Sequence, residues 1–153
     1  MRFPSYKDSR PKGTSVFAVC LFVAVTGSAL ADEPAASPPF LSVELNTLVQ
    51  QDGSCRMIFL VENTLGADLE TAVFETVLFK TDGSVDRLTL FDFQKLPQGR
   101  PRVRQFDIPD TGCDALGRVL INDVHSCKGD GITDADCIKG LKLTTKTSVE
   151  VLG

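Results

Sequence analysis

Four cysteines remain in this chain once its first 31 residues are set aside, and in an exported protein an even cysteine count restricts the fold more than any other feature. Those first residues have the layout of a secretory signal peptide. Arg2, Lys7, Arg10 and Lys12 give a positive n-region, Val16 to Val25 is apolar, and Ala29-Leu30-Ala31 offers a small-x-small cleavage site before Asp32-Glu33. The apolar run falls short of the roughly 20 residues that a permanent membrane anchor requires. Phe17-Ala18-Val19 ahead of Cys20 does not suit lipidation, and Arg10-Pro11-Lys12 lacks the arginine pair of a twin-arginine signal. The reading is export by the general secretory route into the periplasm, an oxidising compartment. The mature chain keeps Cys55, Cys113, Cys127 and Cys137, which read as two disulfides.

Removing residues 1–31 takes away four bases and one acid, so the net charge moves from 16 − 20 = −4 to 12 − 19 = −7. A domain this acidic is unsuited to nucleic acid, whose phosphates call for excess Lys and Arg. It is equally unsuited to an anionic membrane surface, and no stable membrane insertion is expected after signal cleavage. Residues 32–39, DEPAASPP, carry no apolar periodicity and read as a disordered linker. Residues 40–153 then form one domain of 114 residues.

That domain reads as β almost throughout. Leu41, Val43 and Leu45 alternate with polar residues, and Arg56 to Glu62 is a nearly continuous apolar run after the Asp52-Gly53-Ser54 turn. Ala72 to Lys80 and Val85 to Phe93 flank Asp82-Gly83 and predict a hairpin. Arg102 to Ile108, Arg118 to Val124, and Leu141 to Leu152 with a break near Thr145 complete about seven strands. Thr133 as N-cap and Asp136 three residues on predict one short helix over 134–140, with Ile138 and Leu141 toward the core. Short strands at this spacing predict an immunoglobulin-like antiparallel β-sandwich, the helix lying in the connection between the sixth and seventh strands.

In that strand order Cys55 and Cys113 fall at one end of the sandwich, Cys127 and Cys137 at the other. Disulfide Cα atoms must approach within about 7 Å, so the geometry predicts Cys55–Cys113 and Cys127–Cys137. With no C-x-x-C spacing, both read as structural staples.

Chemistry-bearing candidates are few. His125 is the chain's one histidine, and neither Ser126 nor Ser148 sits in a nucleophile elbow, so no catalytic set is read. The acidic stretch Asp130, Asp134 and Asp136 suggests calcium, which favours six to eight oxygens, yet its order departs from an EF-hand loop. Gly131 for a turn and Thr133 for a cap explain the same residues without a metal, so no metal or cofactor is assigned. Arg100, Arg102 and Arg104 alternate within an acidic chain and are the nominated partner-binding residues, the alternative being cross-strand pairing with Glu44, Glu62 or Asp86.

The succession VEN-x-LG-x-DL over residues 61–69, then Asp82-Gly83, then Leu96-Pro97-x-Gly99 before a strand carrying Phe106, resembles bacterial immunoglobulin-like modules. The segments Val43 to Leu48, Phe74 to Phe79, Arg87 to Phe93 and Gly99 to Asp107 are similar to a family of small exported alphaproteobacterial proteins, often labelled twin-arginine pathway signal-sequence domain proteins. That resemblance implies an exported sandwich and carries no activity. The chain is therefore expected to be a non-enzymatic periplasmic module that binds another periplasmic or membrane-bound protein. The alternative is a calcium-dependent or enzymatic domain built on the acidic loop and His125.

Overall fold

The computed structural model describes residues 38–153, so the segments expected to be a signal peptide (1–31) and most of the expected linker (32–39) lie outside the described residues. Eight strands form two four-stranded sheets. They are β1 (Leu41–Gln51), β2 (Ser54–Asn63), β3 (Leu69–Lys80), β4 (Val85–Asp92), β5 (Arg102–Pro109), β6 (Leu116–Gly129), β7 (Leu141–Thr145) and β8 (Glu150–Leu152). One sheet has the order β5-β2-β1-β7 and the other β4-β3-β6-β8. The all-β sandwich expected from the sequence is what the chain forms.

Alternation decides which faces meet. Leu41, Val43 and Leu45 of β1 and Met57, Phe59 and Val61 of β2 point inward and are fully buried. A bulge at Asn46 shifts β1 by one residue, so Leu48 also packs on the core despite its opposite parity. The centre is aromatic: Phe59 meets Phe91, Phe93 and Phe106 edge-on at 5.6–5.8 Å, while Phe91 and Phe106 stack at 4.2 Å. Phe59 and Phe106 come from one sheet and Phe91 and Phe93 from the edge and exit of the other, so this cluster bolts the two layers together.

Two sequence expectations need correction. The sixth strand runs to Gly129, well past Val124, because β3 and β6 slip against each other at several bulges that erase the alternating pattern near His125. The seventh strand is not one antiparallel neighbour of the sixth. Its first part, β7, runs parallel to β1 in the opposite sheet, and its last part, β8, runs parallel to β6 over Arg118–Leu120. The cause is local. Helix α1 (Asp134–Lys139) brings the chain back to the start of β1, where Leu41 N–H donates to the Gly140 carbonyl, so β7 proceeds in the direction of β1. The reversal after β7 is built from hydroxyls: Thr147 N–H donates to Thr145 Oγ1 and Val149 N–H to Thr147 Oγ1. The break foreseen near Thr145 is this turn.

Both disulfides pair as the strand order required. Cys55 joins Cys113 with Cα atoms 4.8 Å apart, and Cys127 joins Cys137 at 6.4 Å. Cys113 opens a 3-10 turn (Cys113–Ala115) between β5 and β6, whereas Cys127 lies within β6 and Cys137 within α1. Two such bridges suit an oxidising compartment outside the cytoplasm.

Candidate functional site

The predicted arginine stripe is split by the structure. On β5, Arg102, Arg104, Phe106 and Ile108 share the inward-facing parity, so these arginines sit at the rim between the sheets. Arg104 is occupied: its Nε donates to the Phe93 carbonyl at 2.6 Å and one Nη to the Lys95 carbonyl at 2.9 Å. These carbonyls flank Gln94, a non-glycine residue in the left-handed region (φ 59°), whose N–H is taken by Asp92. Arg104 thus pins the strained exit of β4 to the edge of the other sheet. Arg102 reaches its neighbour's carbonyl at Pro101, and Arg100 lies exposed before β5. None of the three pairs with Glu44, Glu62 or Asp86. Glu44 instead accepts from Asn46, then from Lys146, which together hold its carboxyl below the usual range, and Asp86 pairs with Arg87.

Two of the three acids of the acidic loop, Asp134 and Asp136, are likewise committed to structure. Thr133 donates its N–H and hydroxyl to Asp136, which lowers the Asp136 pKa, and Asp134 accepts the N–H of Cys127. Among the described residues no three His, Cys, Asp or Glu side chains are grouped closely enough to hold a metal. His125 is exposed on β6, its Nδ1 3.9 Å from Glu75 Oε1. Ser148 lies two residues before Glu150, which pairs with Arg118.

Sequence reasoning passed over one buried polar centre. Asn63, fully buried, donates to the Ala67 carbonyl at 2.8 Å and the Leu96 carbonyl at 2.9 Å, and accepts from Leu65 N–H at 3.0 Å. Gly99 N–H donates to the Asn63 carbonyl, and Gln98 bridges Gly66 and Asp68. The Asn-containing turn and the Leu-Pro-x-Gly turn are two halves of one hydrogen-bonded corner. Its residues stand out in the sequence as the VEN-x-LG-x-DL and Leu96-Pro97-x-Gly99 segments, but their contact spans 33 residues.

A surface that the sequence did not nominate stands out. On the outer face of the second sheet, Leu88 is 71% and Leu90 49% exposed, and Val85 on the same strand is 53% exposed. Leu88 and Leu90 flank a shallow groove of about 300 Å³ floored by Val77 and edged by Glu75, Thr89 and Asn122. The solvent face of an antiparallel sheet is ordinarily polar, and β4 is an edge strand with unpaired backbone groups.

The fold defines the class: an all-β sandwich with two disulfides and a displaced last strand. Among solved structures the chain is similar to IrmA from Escherichia coli, with a TM-score of 0.54 at 8% identity over 69% of this chain and 91% of that one. Identity this low shows the fold alone. No protein-family model and no curated protein matches the sequence, so the alphaproteobacterial family resemblance gains no support.

Proposed function

We propose that this chain is an exported periplasmic module with no catalytic role that works by binding another protein. The observation supporting this reading is the apolar row Val85, Leu88 and Leu90 on an unpaired edge strand, on a sheet face where solvent favours polar side chains. Arg100 and Arg102, which make no ion pair among the described residues, remain as polar contacts for the same partner, while Arg104 serves the fold. The cysteine pairing and the n-region, apolar run and Ala29-Leu30-Ala31 site support the compartment.

The test is crosslinking in the periplasm followed by capture. A reproducible partner should be recovered with the native protein and lost with the Leu88→Ser/Leu90→Ser variant, whose melting temperature should be unchanged because both side chains face solvent. Recovery unaffected by that variant would overturn the assignment of this face. N-terminal sequencing of the periplasmic protein should begin at Asp32; an intact Met1 would overturn the export reading.

A further inference from the structure

The outer face of the second sheet is graded along its strands, apolar in the middle and acidic toward one end. Register places Leu88, Val77 and Leu120 abreast on β4, β3 and β6, and Val77 is only 8% exposed although it faces outward. One row further along, Leu90, Glu75 and Asp123 stand abreast, and beyond them Asp92, Val73 and Ser126. Three carboxylates therefore lie within two rows of the groove over Val77. Among the described residues they are opposed by His125, whose Nδ1 is 3.9 Å from Glu75, and by Lys128 in the row past Asp92. The other bases around this face are engaged or stand beyond it. Arg118 pairs with Glu150 and lies over Phe79, Arg87 pairs with Asp86, and Lys95 pairs with Glu70. Lys80 closes the opposite end of β3, and Arg102 belongs to the other sheet.

β3 is paired on both sides, so the floor of this face offers side chains and no free main-chain groups. An added strand finds nothing to bond there, whereas helices cover sheet faces through side chains alone. The dimensions suit a helix. Three strands span about 10 Å, close to the helix width of about 10–12 Å. Successive rows lie about 6.7 Å apart along a strand, and residues i and i+4 of a helix rise by about 6 Å. We infer that this face accepts an amphipathic helix of a partner protein, with large apolar residues over Val77 and lysine or arginine one turn on, opposite Glu75 and Asp123. Helix α1 has six residues and two acids in its first turn, so a second copy of the chain does not supply such a helix from α1. The inference rests on the assignment of the Leu88 and Leu90 face to a protein partner and adds the chemistry of that partner.

The probe is a labelled alanine-based helical peptide of about 18 residues, carrying leucines and then lysines along one stripe. A second peptide has glutamates in place of the lysines. Titrated against the disulfide-bonded protein, the lysine peptide should bind saturably and the glutamate peptide about tenfold more weakly or worse. Leu88→Ser should weaken the lysine peptide about tenfold, the effect of withdrawing one aliphatic contact. Glu75→Gln/Asp123→Asn should remove most of the preference between the peptides. Asp52→Asn/Glu62→Gln, the same charge change away from this face, should preserve it; none of the four side chains is buried. No saturable binding, equal affinity for both peptides, or an equal response to the two charge-changing pairs would overturn the inference. Periplasmic crosslinking separates it from the reading it rests on. A partner lost with Leu88→Ser/Leu90→Ser but kept with Glu75→Gln/Asp123→Asn would leave the face in use and refute the basic helix. Self-association abolished by Leu88→Ser would assign the face to a second copy of the chain and overturn it equally.

Discussion

Arg104 and Asn63 carry more of this fold than their residue types suggest. Arg104 satisfies the two carbonyls on either side of Gln94, and charge-assisted bonds of this kind contribute about 1.5–3 kcal/mol each when nothing else replaces them. Water reaches this partly exposed rim and offsets part of the loss. Arg104→Ala is therefore expected to lower unfolding stability by about 1–2 kcal/mol in urea titrations, while Arg100→Ser and Arg102→Ser stay within about 0.5 kcal/mol. Equal losses at all three positions would contradict the rim assignment. Asn63 has no access to water, so truncation removes the partner of the Ala67 carbonyl and of the Leu65 N–H and one of the two donors to the Leu96 carbonyl, which keeps its bond from Leu69 N–H. Asn63→Ala should lower stability by about 2–4 kcal/mol. Asn63→Asp should lower it further at neutral pH, because a carboxylate would then face two carbonyl oxygens.

Among the elements, α1, β1 and β5 each carry a carboxylate with a lowered pKa that links stability to pH. Asp136 is held below its ordinary pKa by the Thr133 hydroxyl first and the Thr133 N–H second, and Asp107 is lowered by its bidentate partner Arg56. A carboxylate with a depressed folded pKa contributes stability that is present above its unfolded value, near about pH 4, and lost as pH falls through the folded value. Both groups are on the surface, so the effect is small and salt-screened. The melting temperature should hold from neutrality down to about pH 5 and decline below it. Asp136→Asn should flatten part of that decline, and a profile identical to the native one would argue against the cap. The cap itself was legible because it is local: Thr133 and Asp136 stand three residues apart and announce a helix start. Strands with strict alternation, such as Leu41 to Leu45, were legible for the same reason. What resisted reading was set at a distance. The bulges of β6 against β3 and the transfer of β7 to the other sheet depend on partners that no local pattern encodes. The exposed leucines of β4 resisted for another reason: alternation fixes which residues share a face, and only the assembled sheet reveals which face meets solvent.

For the molecule as a whole the two disulfides are the strongest available test, because their pairing joins compartment, strand order and stability in one measurement. Native protein should contain no free thiol and should yield only Cys55–Cys113 and Cys127–Cys137 peptides on non-reducing digestion. The bridges close segments of 58 and 10 residues. In the chain-entropy picture that corresponds to about 4 and about 3 kcal/mol of restraint on the unfolded chain. Packing acts in the other direction. Cys127 and Cys137 are both buried, whereas Cys113 is partly exposed, so removing the short bridge also opens space in the core. Alanine would add that cavity term to the comparison. Serine pairs, closer in size to cysteine, reduce it and isolate the loop effect better, though a buried hydroxyl needs a partner. The double variant Cys55→Ser/Cys113→Ser is expected to lose more stability than Cys127→Ser/Cys137→Ser. A larger m-value in urea for the Cys55→Ser/Cys113→Ser variant would place the difference in loop restraint, because releasing the longer loop expands the unfolded chain more. A reversed order with the pairing intact would show that the α1–β6 junction, and not the length of the closed loop, anchors this sandwich.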